Sequence, residues 1–192
     1  MKLLHFLPCV MAGALLTGCS DNIDMVKGGT LNGYESLTVG EALDKSNVCV
    51  PQSQKWEKFE TSNGMEIVQF TCQSSEFIEI SERLVRKYAN DETPTGEERL
   101  NDVDLDDAIF TFQFSIAKDG EHFKLERSGC ELVWHDGKKY FEPNGDLYDK
   151  FYNNETLFDD ILKLPDQMQT VAYQQLDAQM EVLFTLMKPK AK

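Results

Sequence analysis

Histidine is scarce in this chain of 192 residues: there are three, and His5 falls in an apolar leader. A Ser/His triad, a histidine acid–base pair or a catalytic zinc site would have to be built from His122 and His135 alone, and both stand beside turn sequences. The spacing Cys-x-x-Cys is missing, which removes support for zinc-ribbon and thioredoxin-like chemistry. Neither Gly-x-Ser-x-Gly, His-Glu-x-x-His nor a phosphate-cradling glycine loop occurs. No catalytic kit is recognisable, so the chain reads as a non-enzyme without cofactor or metal. Positive charge is in short supply as well: 19 Lys and Arg stand against 33 Asp and Glu, a formal net charge of −14. Nucleic acid and anionic headgroups would be repelled by such a chain, whereas a basic protein would not. Beyond the leader, no run approaches the roughly 18 apolar residues of a spanning helix.

What the sequence does have is an address. Met1-Lys2 gives a minimal positive start, and Leu3 to Leu16 is apolar apart from His5 and Pro8. That stretch is too short to cross a bilayer but suits a secretory leader. Its closing run, Leu16-Thr17-Gly18-Cys19, looks like a bacterial lipoprotein lipobox, with cleavage before Cys19 and acylation of its thiol. Residues 1–18 are then a signal peptide, 19–36 a lipidated N-terminus and tether, and 37–192 a single globular domain. The leader holds one Lys and no acid, so its removal takes the formal net charge from −14 to −15. Membrane attachment is expected through lipid on Cys19, where several acyl chains hold far more tightly than one.

Cys9 leaves with the leader, so Cys49, Cys72 and Cys130 remain for an oxidising compartment. Three pairings are possible, and the pair nearest in sequence, Cys49–Cys72, is favoured. Closing that loop contributes on the order of 3 kcal/mol by chain entropy. Cys130 then reads as a buried core thiol.

Thr38-Val39-Gly40-Glu41 has the form of a capping box opening a short helix to about Lys45. Strands are predicted over 55–61 and 66–72, joined at Asn63-Gly64, and an amphipathic helix over 75–89. An acidic loop is predicted over 91–107, with Pro94 and Gly96 as its punctuation. Within it, Asp102, Asp104 and Asp106 resemble the start of a calcium loop. Position six is Asp107 rather than glycine and position twelve is Gln113 rather than Glu, so a solvated loop is the better reading. A second hairpin spans 109–134, and a short third pair flanks His135-Asp136-Gly137. Phe110, Phe112 and Phe114 fall on one strand face, as a core-facing row does. A helix is expected over 155–163, and Pro165 opens a longer one to Met187, followed by a basic, frayed tail. The pattern is α+β: an antiparallel sheet of about four strands packed against helices, with a helical C-terminal segment.

The last helix carries Met168, Val171/Ala172, Leu176, Met180, Leu183 and Met187 as an apolar stripe, with Gln167, Gln169, Gln174, Gln175 and Gln179 on its other face. The stripe reads first as core; the second reading is a partner surface, since methionine-rich faces recur at interfaces.

Several stretches taken in order resemble a family of uncharacterised bacterial lipoproteins. They are Lys27-Gly28-Gly29-Thr30-Leu31, Ser36 to Asp44, Trp56-Glu57-Lys58-Phe59, Asn63-Gly64, Ile67 to Cys72, and Phe112 to Ile116 before Asp119-Gly120. The resemblance covers about residues 27–134 and implies a small secreted α+β domain without a known activity. Ser20 after the lipidated cysteine resembles the sorting signal of outer-membrane lipoproteins, the inner membrane being the less favoured destination. The helix-plus-hairpin plan also resembles small outer-membrane assembly lipoproteins and inhibitor domains at the level of fold. The expected role is therefore an envelope lipoprotein that binds an unknown protein. The alternative is an acidic inhibitor or immunity-type binder of a basic enzyme such as a lysozyme.

Overall fold

The computed structural model describes residues 22–190. In chain order its elements are α1 (Asn22–Gly28), α2 (Val39–Asp44), β1 (Lys55–Glu60), β2 (Glu66–Gln73), α3 (Ser75–Tyr88) and α4 (Pro94–Val103). They continue with β3 (Leu105–Ile116), β4 (Phe123–Trp134), β5 (Lys139–Pro143), α5 (Leu147–Tyr152), α6 (Asp159–Leu162) and α7 (Asp166–Met187). The strands form one five-stranded antiparallel meander in sequence order, so the domain is α+β as its pattern implies. The sheet has five strands where about four were expected; the fifth, β5, is the short pair anticipated across His135-Asp136-Gly137, and it pairs with β4 from Gly129↔Pro143 to Val133↔Lys139. That strand is five residues long, and its Tyr140-Phe141 pair was the sole apolar signal for it.

Period-two alternation turns Phe110, Phe112 and Phe114 to one face of β3, where all three are buried. Phe151 of α5 stands edge-on to Phe112, Phe110 and Phe70, with ring centroids 4.8, 5.5 and 6.5 Å away. Such pairs contribute about 0.5–1.5 kcal/mol each beyond burial. The opposite face carries a polar ladder, in which Gln113 donates to Gln69 (2.7 Å) and Gln69 donates to Glu57 (2.8 Å).

Four local expectations need correcting. The acidic loop over 91–107 is instead α4 followed directly by β3. Thr93 caps α4 by accepting from the Gly96 amide (3.1 Å), and Pro94 sits in the first turn, where its missing N–H costs nothing. Gly96 is there because a Cβ would collide with the Asp91 carbonyl, not to break the helix. The segment 22–36 is no plain tether: α1 buries Val26 completely, and the Tyr34 ring packs edge-on against Tyr148 and Tyr152. The helix expected over 155–163 is reduced to α6, while α5, unforeseen, supplies Leu147, Tyr148 and Phe151 to the core. Finally, the tail does not fray at its first residue, since Lys188 is buried.

Smaller junctions are held by specific bonds. Thr38 and Glu41 form the reciprocal capping box expected of them. The first hairpin turns through a five-residue loop between Glu60 and Glu66, with Gly64 at φ +79°. The buried Ser81 hydroxyl donates to the Val103 carbonyl (2.7 Å) and accepts from the Leu105 amide (2.9 Å), which fixes the α4–β3 junction to α3.

Candidate functional site

The residues that could carry chemistry are kept apart. His122 pairs with Asp119 (2.9 Å) in the turn before β4, and His135 lies between Asp104 (3.4 Å) and Asp106 (3.3 Å) in the turn after it. At about 3.3 Å per residue, twelve residues of β4 hold the two imidazoles roughly 40 Å apart. The acidic string is likewise divided: Asp104 and Asp106 go to His135, and Asp107 accepts from Gln73 (3.3 Å). Among the described residues, no group of three or more His, Cys, Asp or Glu is placed to hold a metal ion.

Cys49 and Cys72 form a disulfide with a Cα–Cα distance of 5.6 Å, joining the segment after α2 to the end of β2. Cys130 is a free, buried thiol; desolvation, with Asp107 and Glu131 adding repulsion, pushes its pKa well above the usual thiol range and leaves it unreactive. It lines an apolar cavity of about 70 Å³ with Phe77, Phe110, Leu132, Leu183 and Met187. Cys19, the expected lipidation site, lies outside the described residues, as do residues 1–18; α1 begins at Asn22. No helix among the described residues is long and apolar enough to cross a membrane.

The helix α7 is the element with a surface left over. Its inner stripe is Leu176, Met180 and Phe184, all buried. Two side contacts tie it to α3: the Arg83 guanidinium donates to both Asp177 oxygens (2.6 Å to Oδ1 and 3.2 Å to Oδ2), and the Lys87 ammonium donates to Glu181 (2.8 Å). Burial pushes the Glu181 carboxyl up, but hydrogen bonds from Lys87 and Tyr88 more than offset this and hold it below its ordinary value. At the C-terminal end, the Lys188 ammonium donates to the Asn101 carbonyl (2.6 Å) and pairs with Asp136 (3.1 Å). Desolvation would raise the Asp136 carboxyl, yet hydrogen bonds from Lys138 and Lys188 together bring it down to about 2.

The outward side of α7 is different in kind. Its exposed described residues are Met168, Thr170, Val171, Gln174, Gln175, Ala178, Gln179, Val182, Thr185 and Leu186, and none is charged. Met168, Val171, Val182 and Leu186 are 53–76 % exposed, four of the large apolar side chains most open to solvent. At 100° per residue, 171, 178 and 182 lie directly opposite Met180, with 168 and 186 beside them. A solvated helix face on a chain carrying −14 would ordinarily hold Glu and Lys; a face without charge and with exposed Val, Met and Leu has the composition of an interface centre. The two described acids of α7 are both turned aside to α3. Beside Val182 and Leu186 a groove of about 350 Å³ opens toward Glu98, Arg99 and Asp102 of α4.

Of the expected inward stripe, Met168 and Val171 (given there with Ala172 as the alternative) are exposed instead, and Val182 and Leu186, outside that stripe, share their side of the helix. The signal for the outward face is a second 3–4 spacing, 168–171–175–178–182–185, running antiphase to the buried one. No family model, curated protein or solved structure matches the chain, so its function is argued from its own residues.

Proposed function

We propose that this chain is a non-enzymatic envelope lipoprotein, anchored by lipid on Cys19 and working through protein–protein contact made by the outward face of α7. The observation that carries the reading is that face: exposed Met168, Val171, Val182 and Leu186 without a charge among them, on a strongly acidic domain. Export and anchoring are supported by the apolar leader ending in Leu16-Thr17-Gly18-Cys19 and by the Cys49–Cys72 disulfide. Ser20 favours the outer membrane, with the domain in the periplasm. Only Ser20 and Asp21 separate Cys19 from α1, so about 10 Å of chain holds the folded domain close to the bilayer.

The acidic-inhibitor reading draws on the net charge instead, and salt separates the two. Partner captured by the lipidated full chain should be retained at high salt and lost from Val182→Asp. Capture that high salt abolishes and Val182→Asp leaves intact favours electrostatic binding of a basic enzyme. Anchoring has its own test, in which Cys19→Ser removes labelled palmitate and membrane fractionation; labelling that persists overturns the lipoprotein assignment.

A further inference from the structure

We infer that the occupant of the outward α7 face is α7 of a second copy, packed antiparallel about a two-fold axis near residues 176 and 177. The inference rests on the reading of that face as the contact surface and adds its partner. Two observations point to self-pairing, and the contact area sets its strength. The seam is palindromic: in an antiparallel pair about that axis Val171 meets Val182, Gln175 meets Ala178 and Met168 meets Thr185, with Leu186 one position further along, so a large side chain faces a small one on either side of a valine pair. A parallel pair would instead set Ala178 against Ala178 and Gln175 against Gln175, leaving a gap beside a crowded layer. Antiparallel helices also align opposite dipole ends.

The second observation is electrostatic. Two copies of a chain with a formal net charge of −14 repel wherever their acids meet, and the exposed described residues of α7 bring no acid to the contact. Asp177 and Glu181 of α7 are paired with Arg83 and Lys87, and in the groove beside Val182 and Leu186 the acids Glu98 and Asp102 of α4 stand together with Arg99. A basic partner would gain nothing from a face without acids, whereas a second copy requires such a face.

The area is limited. A helix of 22 residues is about 33 Å long, and a contact made by one face of it alone is small. A seam of one helix per copy lies at the small end of protein interfaces, where roughly 1,000 Å² marks a free-standing complex. Such a dimer is weak in dilute solution and is populated when both copies are tethered to one membrane, where their effective concentration is high. A two-fold, self-complementary contact is the commonest form of homo-oligomer.

The test co-expresses two differently tagged full chains, Gln175→Cys and Ala178→Cys, and oxidises intact membranes, with the unsubstituted chain setting the baseline. The mixed 175–178 crosslink should exceed each same-site crosslink several-fold, and adding Val182→Asp or Leu186→Glu to both copies should return it to baseline. Same-site crosslinks that outweigh the mixed one overturn the antiparallel pairing. No crosslink above baseline, while Val182→Asp still abolishes capture of another protein, overturns the second copy and leaves the surface reading standing. No crosslink and no effect of Val182→Asp on capture removes both.

Discussion

The two sides of α7 are built from the same kinds of residue and have opposite fates. Phe184 is fully buried under the domain, and Leu186, two positions on, is 76 % exposed. On the inner side, apolar contacts are flanked by paired charges, Arg83–Asp177 and Lys87–Glu181. On the outer side, apolar residues are flanked by Gln174, Gln175, Gln179 and Thr185. The difference teaches that hydrophobicity alone does not say which side of a helix is core; the treatment of charge around each stripe does. A face that only covers the sheet gains nothing from excluding charge on its far side, whereas a contact surface does.

The sharpest way to break the comparison is to truncate one residue on each side. Phe184→Ala should cost about 3–5 kcal/mol in denaturant unfolding, while Leu186→Ala should stay within about 0.5 kcal/mol. Equal effects would mean that Leu186 is buried in the isolated domain, and the two-sided description would fail.

A smaller effect is expected where the helix ends. Lys188→Met removes the cation that holds Asn101 and Asp136, and should cost about 1–2 kcal/mol, less than a fully buried pair because Asp136 keeps Lys138 and partial solvation. Loss of more than that, with Met168 through Met180 losing amide protection, would show that the clamp holds the whole helix.

The smallest effect is a pH dependence of the same clamp. The Asp136 carboxyl is lowered from an ordinary 3.8 to about 2 in the folded state, so its stabilisation is fully present above about pH 4. It is lost as pH falls from 4 toward 2, because the folded form must then take up the proton that the unfolded form already binds. The gap between thermal melts of the native chain and Lys188→Met should therefore narrow across that range, leaving the part due to the Asn101 carbonyl; a constant gap would remove Asp136 from the account.

Much of the sheet was legible in the sequence because its signals are periodic. The row Phe110-Phe112-Phe114 named the buried face of β3, and Thr38 to Glu41 named a helix start by reciprocal hydrogen bonds. The disulfide followed from proximity in sequence. Illegible elements were those made by tertiary contact. The six residues of α5 are too few to show a helical period, and Asp146 before it makes no side-chain cap; the helix exists because Leu147, Tyr148 and Phe151 cover the phenylalanine row. Pro94 and Gly96 were read as breakers, although one suits a first turn and the other makes room for Asp91. The outward seam of α7 was hidden by its own antiphase partner, since one stripe sufficed to explain the helix as core. The same seam holds the candidate site, and its charge-free flank could have been read from the glutamines.

The central claim, that the outward side of α7 is where this protein meets another, is tested most directly by site-specific photo-crosslinking of the full chain in intact membranes. A photoreactive residue at position 182 should yield a discrete protein adduct, and one at position 69, on the polar ladder of the sheet, should yield none above background. Adducts of equal intensity from both positions, or from position 69 alone, would contradict it.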